Sequence, residues 1–144
     1  MKVLVIGGVA AGTKAAAKIK RQNRSAEVKI LTQSADISYA GCGLPYYVGG
    51  MIESREELIV NTPEKYTGLT GVEVVTRCEV TSVNFQAKTV TALCQGQTWL
   101  ESYDKLVIAT GATPFVPQVE GIRLPGVFTM RTPDDAIALK SEAK

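Results

Sequence analysis

The apolar positions begin as one short, unbroken run. Lys2 to Ile6 is brief and β-branched, the pattern of a strand covered on both faces. Small residues follow from Gly7 to Gly12. Thr13 to Asn23 is rich in alanine and lysine and predicts a helix. Glu27 to Thr32 is a second apolar strand. Strand, turn, helix and strand make residues 1–33 a βαβ unit, which predicts two parallel strands.

The pattern then loosens. Residues 34–62 form a glycine-rich loop around one cysteine, Cys42. In "NTPEKYTGL", Thr62 is the expected N-cap and Pro63 the first helical residue. Val72 to Thr76 predicts a short strand. Val80, Val83 and Phe85, then Val90, Ala92 and Cys94, suggest the alternation of half-covered strands, with a hairpin turn at Gln95-Gly96. Residues 63–102 therefore read as a helix and a β-meander. In residues 103–144, "YDKLVIATG" predicts a buried strand opening onto Gly111. "RTPDDAIALKSEAK" predicts a last helix, capped by Thr132, with Pro133 first and two aspartates in the first turn. The fold class is α/β.

Composition narrows the function. The chain has 144 residues, enough for one domain with a core. The net charge is +2 with both signs scattered, which gives no reason to expect nucleic acid or a membrane surface as partner. No apolar run approaches the roughly 18 residues of a spanning helix. The first residues have the small-residue character of a secretory leader, but a glycine pair breaks the run. Lys14, Lys18 and Lys20 then follow at helical spacing, so a strand, turn and helix account for the whole stretch.

There is no histidine, which removes Cys-His and Ser-His catalytic pairs and the commonest metal ligand; no metal site is expected. The cysteines are Cys42, Cys78 and Cys94, with no CxxC pair. Neither a zinc site nor a local redox disulfide is predicted. Cys78 and Cys94 read as small buried hydrophobes, and a cytoplasmic protein with free thiols is the simplest expectation.

The turn "IGGVAAG" partly matches the dinucleotide fingerprint, with glycine wanted at i, i+2 and i+5. Gly7 and Gly12 match, while Val9 holds the middle position. Free N–H groups at the following helix are suited to a pyrophosphate. The acidic residue expected at the end of the second strand is absent; Thr32 and Gln33 stand there. Along the helix, Lys14, Lys18 and Arg21 form one basic stripe, about 10 Å long. Ala15, Ala16 and Ile19 lie opposite, small enough to pack on a sheet. A solvated helix face and an anion-binding row both explain the stripe.

Cys42 lies in "ISYAGCGLPYYVGG". "GLPYYVGG" predicts a short helix with Pro45 in its first turn, placing Cys42 where the helix dipole and free N–H groups favour a thiolate. Gly41 and Gly43 leave room for a flat ring or a substrate sulfur. Ser38, four residues earlier, is a nearby hydrogen-bond donor.

The glycine turn, "SYAGCGLPYY" and "YDKLVIATGATP" fall in an order that resembles the pyridine nucleotide-disulfide oxidoreductase family of flavoproteins. The likeness is to its single-cysteine branch, above all coenzyme A-disulfide and CoA-persulfide reductases. The resemblance implies a Rossmann-like FAD domain in three layers, with a parallel sheet and an additional β-meander. It implies FAD contacts at Gly7, Gly8, Val9, Ala10, Ala11 and Gly12 for the pyrophosphate and at Thr32 and Gln33 for the ribose. Val80 would approach the adenine through its backbone. Ala109, Thr110 and Gly111 would pack along the cofactor, and Arg131 would approach it. Val9 departs from the general fingerprint, but a non-glycine residue is usual there in this branch. Thr32 departs from the family's acidic residue, which weakens the expected hold on the ribose.

The resemblance further implies that Cys42 cycles beside the flavin with a small thiol. Lys14, Lys18, Arg21 and Ser38 would serve the substrate, a coenzyme A derivative. NAD(P)H is the implied electron donor and a homodimer the implied assembly. The NAD(P)H domain, the return segment of the FAD domain and the dimerisation domain are expected beyond residue 144. On that expectation this chain is the first half of a two-part FAD domain, does not turn over NAD(P)H alone and holds FAD weakly or not at all. Two alternatives stay open. One is an NADH oxidase or peroxidase using a cysteine sulfenic acid, although many of these place a histidine where this chain has Ala10. The other is a non-catalytic nucleotide-binding or redox-sensing module.

Overall fold

A computed structural model describes residues 1–143. They divide into two compact units, one of Met1–Ser38 with Asn61–Gly111, the other of Tyr39–Val60 with residues 112–143.

The first unit holds two sheets. Strands β1 (Lys2–Ile6), β2 (Glu27–Leu31), β3 (Glu73–Val75) and β7 (Lys105–Ile108) form a parallel sheet in the order β3-β2-β1-β7. Strands β4 (Cys78–Asn84), β5 (Thr89–Cys94) and β6 (Gln97–Ser102) form an antiparallel meander. Alternation along β1 divides the core. Val3 and Val5 meet Val28, Ile30, Ala16, Val72 and Tyr66 on one face. Leu4 and Ile6 meet Leu31, Val90, Ala92 and Tyr103 on the other. Helices α1 (Ala10–Gln22) and α3 (Pro63–Thr70) contribute to the first cluster and the meander to the second. The three-layer α/β fold expected from the sequence is therefore present, with β1 buried on both faces.

Local chemistry sets the ends of the elements. The Thr62 hydroxyl accepts the Lys65 N–H at 3.3 Å to cap α3, with Pro63 first in the helix as expected. Gly71 ends it in the left-handed conformation, φ +70°. Helix α1 begins at Ala10, three residues before the sequence suggested, because the small residues of the turn continue into it. Its Ala16 is fully buried, and Ala17 and Ile19 pack on the core; Ala15, expected there, does not.

Three further expectations are corrected. Val80 and Val83 are only half-buried and Phe85 is 68% exposed, because a bulge between Val80 and Ser82 shifts the register and the strand ends at Asn84. Strand β7 lies at the sheet edge, so its apolar run is not fully covered and Ile108 is 59% exposed. Cys78 and Cys94 face each other directly across β4 and β5, and their sulfurs form a disulfide. Their separation of 16 residues is closed by the meander register, so Cys42 alone is free. This pairing removes the free-thiol argument for a reducing compartment.

Ion pairs tie the meander to the parallel sheet. Glu101 on β6 pairs with Lys2 on β1 and, at 3.0 Å, with Lys29 on β2; Glu73 on β3 meets Lys29 at 3.3 Å. Burial alone would raise the Glu101 carboxyl, but hydrogen bonds from Lys2 and Lys29 outweigh it and hold it below the ordinary 4.5. Burial would lower Lys29, and its two carboxylates outweigh that and hold it above 10.5. Glu101 thus contributes stability above its unfolded pKa that is lost as pH falls through the lowered one. Lys29 contributes stability below its unfolded pKa that is lost as pH rises through the raised one. Glu101→Gln is expected to cost about 1–2 kcal/mol near neutral pH, discounted from a fully buried pair because the lysines are partly solvated. Urea denaturation from pH 3 to pH 7 checks this. A cost that does not shrink towards low pH would contradict it.

The second unit has a smaller core. Helix α2 (Leu44–Val48) and helix α4 (Pro133–Glu142) pack through Leu44, Leu58 and Ala136, with Tyr47, Val48 and Ile52 around them. Lys140 lies 3.9 Å from the Tyr47 ring centre. Thr132 and Asp135 form the capping box of α4, with Pro133 first as expected.

Candidate functional site

The glycine turn lies at the carboxyl end of β1, where open α/β sheets bind ligands. Gly7 has φ +108°, and a Cβ there would lie 2.7 Å from the Ala109 carbonyl carbon and closer still to its oxygen. A Cβ on Gly12 would lie 2.9 Å from the Gly7 carbonyl carbon and closer still to that oxygen. Gly8 is packed as closely, with a virtual Cβ 2.9 Å from Ile37 and 3.1 Å from Thr32. Four chain stretches therefore meet at these glycines: the turn itself, Thr32 after β2, Ile37 with Ser38, and the "ATG" after β7.

Backbone bonds hold them together. Gly7 donates to Leu31 at 2.8 Å, Ala109 to Ile6 at 2.8 Å, and Ser38 to Gly8 at 2.9 Å. Val9 is the N-cap of α1 and supplies no side-chain cap. Among the described residues none accepts from the N–H groups of Ala10, Ala11 or Gly12, and Ala10 and Ala11 are exposed. Free donors at the start of a 13-residue helix, with no side chain over them, fit a phosphate group.

The remaining expected residues fall as follows. Thr32 is 6% exposed; its methyl side lies against Gly8, and its N–H and C=O are bonded to Val75 and Cys78. Gln33 is exposed beside it. Val80 is half-buried on β4, opposite Ala92. Thr110 and Gly111 are exposed after Ala109, with Gly111 at φ +76°. Lys14, Lys18 and Arg21 are exposed along α1. Ser38 adopts φ +51°, and its hydroxyl accepts from the Asn61 amide at 3.5 Å.

In the second unit, Cys42 is exposed in a 3-10 turn, Gly41–Gly43, directly before α2. Gly43 is buried, and its Cβ would lie 3.2 Å from both Ile52 and Leu58, whereas nothing lies within 4 Å of one on Gly41. The thiol is thus seated on a packed glycine beside an open one. The free N–H groups expected here are partly used: Gly43 donates to Ala40 and Leu44 to Gly41. With only five residues, α2 also adds little dipole. Arg131 is exposed, and its Nε donates to the Ala112 carbonyl at 3.1 Å.

Sequence reasoning missed several residues. Ile37 is fully buried against Gly8. Arg77 is exposed, and its backbone N–H reaches the Ser34 carbonyl at 3.3 Å. Tyr66 bonds the Thr13 carbonyl at 2.5 Å. Burial pushes the Tyr66 phenol above its ordinary value, so it stays a proton donor. None of these had a local signal, because each partner is distant in sequence.

A cavity of about 400 Å³ lies elsewhere in the first unit, at the amino ends of β1 and β2. Lys2, Lys20 and Lys29 line it together with Glu27 and Glu73, so opposite charges share it. No described helix is long and apolar enough to cross a membrane.

The pattern of the pyridine nucleotide-disulphide oxidoreductase family matches residues 1–144. An NADH oxidase of Methanocaldococcus jannaschii is 36% identical over 142 residues, 96% of this chain and 31% of that protein. A coenzyme A disulfide reductase of Staphylococcus epidermidis is 36% identical over 114 residues, 78% of this chain and 26% of that protein. The solved structure of an NAD-dependent persulfide reductase from A. fulgidus superposes with a TM-score of 0.92 at 36% identity, covering 99% of this chain and 27% of that one. The chain thus spans about a third or less of each.

Proposed function

Because the chain belongs to the pyridine nucleotide-disulphide oxidoreductase family, we propose that it supplies the flavin site and the redox thiol of an NAD(P)H-dependent reductase acting on coenzyme A disulfide or persulfide. The observation that carries this is the close-packed glycine turn with free N–H donors over α1, in a chain whose one free thiol is exposed between two glycines.

Gly7, Gly8, Val9, Ala10, Ala11 and Gly12 would hold the FAD pyrophosphate. Gln33 is the better placed of the two ribose candidates, since Thr32 is packed inward. FAD, when bound, supplies a two-electron relay from NAD(P)H. Cys42 as thiolate attacks one sulfur of the coenzyme A disulfide; the new S–S bond joins Cys42 to one coenzyme A, and the other leaves as thiolate and takes a proton. Two electrons from NAD(P)H then release the second coenzyme A as thiol. Per turnover, one NAD(P)H and one proton convert the disulfide into two thiols. The stripe of Lys14, Lys18 and Arg21 suits the phosphates of coenzyme A. NAD(P)H turnover is proposed for the whole protein, not for these residues alone.

An oxidase using a Cys42 sulfenic acid is the second reading, favoured by likeness to the NADH oxidase. NAD(P)H consumption by the whole protein separates the two when coenzyme A disulfide, coenzyme A persulfide, oxygen and peroxide are offered in turn. Fast turnover with a coenzyme A substrate is expected. Turnover with oxygen alone would sink the coenzyme A reading.

A further inference from the structure

The N-terminus of α1 lacks a side-chain cap, yet two buried hydrogen-bonding residues fix it from behind. Thr13, in the first turn of the helix, is 6% exposed. Its hydroxyl donates to the Val9 carbonyl and lies 3.3 Å from the Ala10 carbonyl. The Val9 carbonyl also accepts the Thr13 backbone N–H at 3.2 Å. A threonine in a helix commonly makes this backward bond. Here it falls on the two residues that open the phosphate-facing turn. Two donors on one carbonyl keep Val9 turned along the helix, which leaves the next N–H groups directed outward.

Thr13 is held in turn. Tyr66, on α3, is 5% exposed, and its hydroxyl donates to the Thr13 carbonyl at 2.5 Å across 53 residues of sequence. Tyr66 is itself fixed, because its N–H donates to Thr62 at 2.9 Å and its carbonyl accepts the Thr70 hydroxyl at 2.7 Å. A chain of bonds runs from α3 through Tyr66 and Thr13 to Val9. It sets how far α1 advances over the sheet and how its first turn is rotated. For a pyrophosphate held by backbone donors, that placement decides affinity, because the donors cannot adjust as side chains do.

We propose that Thr13 and Tyr66 are positioning residues for the pyrophosphate-binding turn, acting through the Val9 carbonyl without touching the ligand. The inference rests on the FAD-binding reading given above. It concerns nucleotides that carry a diphosphate and predicts no effect on a nucleoside without one.

The test measures FAD binding to the flavin-free whole protein, and the competition of ADP and adenosine against it, in the parent and in Thr13→Val, Thr13→Ser and Tyr66→Phe. Thr13→Val is expected to weaken FAD and ADP about tenfold and leave adenosine unchanged. Thr13→Ser, which keeps the hydroxyl, is expected to match the parent chain. Tyr66→Phe is expected to weaken FAD and ADP about threefold, because its bond is one step further away. Adenosine affinity and the denaturation midpoint serve as controls for the fold, since a merely structural role would change all three ligands together. Parent-like ADP and FAD affinity in both Thr13→Val and Tyr66→Phe overturns the proposal and leaves FAD binding intact. Equal weakening of adenosine and ADP overturns it as well. A flavin-free parent protein that does not take up FAD overturns the FAD reading itself, and this inference with it.

Discussion

Gly12→Ala is expected to destabilise the chain by about 3 kcal/mol, the upper part of the range for overpacking, and to abolish FAD binding in the whole protein. The added methyl would lie 2.9 Å from the Gly7 carbonyl carbon, closer still to its oxygen, and 3.3 Å from Val5. Val5 is fully buried in β1, and Gly7 is backbone tied to Leu31, so neither can move aside. Helix α1 would have to lift from the sheet. That would disturb the seat of Ala16, which is fully buried, and carry the free N–H groups of Ala10 and Ala11 out of place. Gly41→Ala is the control. It is exposed, with nothing within 4 Å of its Cβ, and its stability should stay within about 0.5 kcal/mol of the parent chain. Guanidinium denaturation measures both. A Gly12→Ala chain as stable as the Gly41→Ala chain would mean that the close approach of helix and strand is not required.

The contrast between these glycines was half legible in the sequence. Gly7 and Gly12 could be picked out because a tight strand-to-helix turn needs glycine at fixed offsets. Strand β1, the Thr62 and Thr132 caps and the Gln95-Gly96 turn were legible for the same reason, since each is decided within a few residues. What escaped depended on distant parts of the chain. The bulge that shifts Val80 and Val83 exists only against β5. The Cys78–Cys94 pairing follows from that ladder, and neither cysteine announces it alone. Strand β7 reads as buried because its residues are apolar, yet its place at the sheet edge is set by topology. Tyr66 looked like an ordinary helix residue until α3 brought it to Thr13. Around Cys42 the motif was legible, but the use of the Gly43 and Leu44 N–H groups was not, because local turns consume them.

That last difference shapes the expected behaviour of Cys42→Ser. In the whole protein this change is expected to lower turnover with coenzyme A disulfide by about 10³-fold or more, as removal of a nucleophile does. Serine is nearly the same size, and the side chain is exposed, so the fold should be untouched. Flavin content should also be unchanged, because the proposed pyrophosphate contacts from Gly7 to Gly12 are left as they are. The loss should fall on turnover rather than on substrate affinity, since the proposed phosphate contacts on α1 remain. Cys78 and Cys94 cannot take over, being bonded to each other and at most 2% exposed. Alkylation should agree: in the native chain one thiol is expected to react with iodoacetamide, and none in Cys42→Ser. If Cys42→Ser kept full activity on coenzyme A disulfide, the thiol would have no part in the reaction. If it lost activity only on peroxide or oxygen, the sulfenic acid reading would replace the reductase.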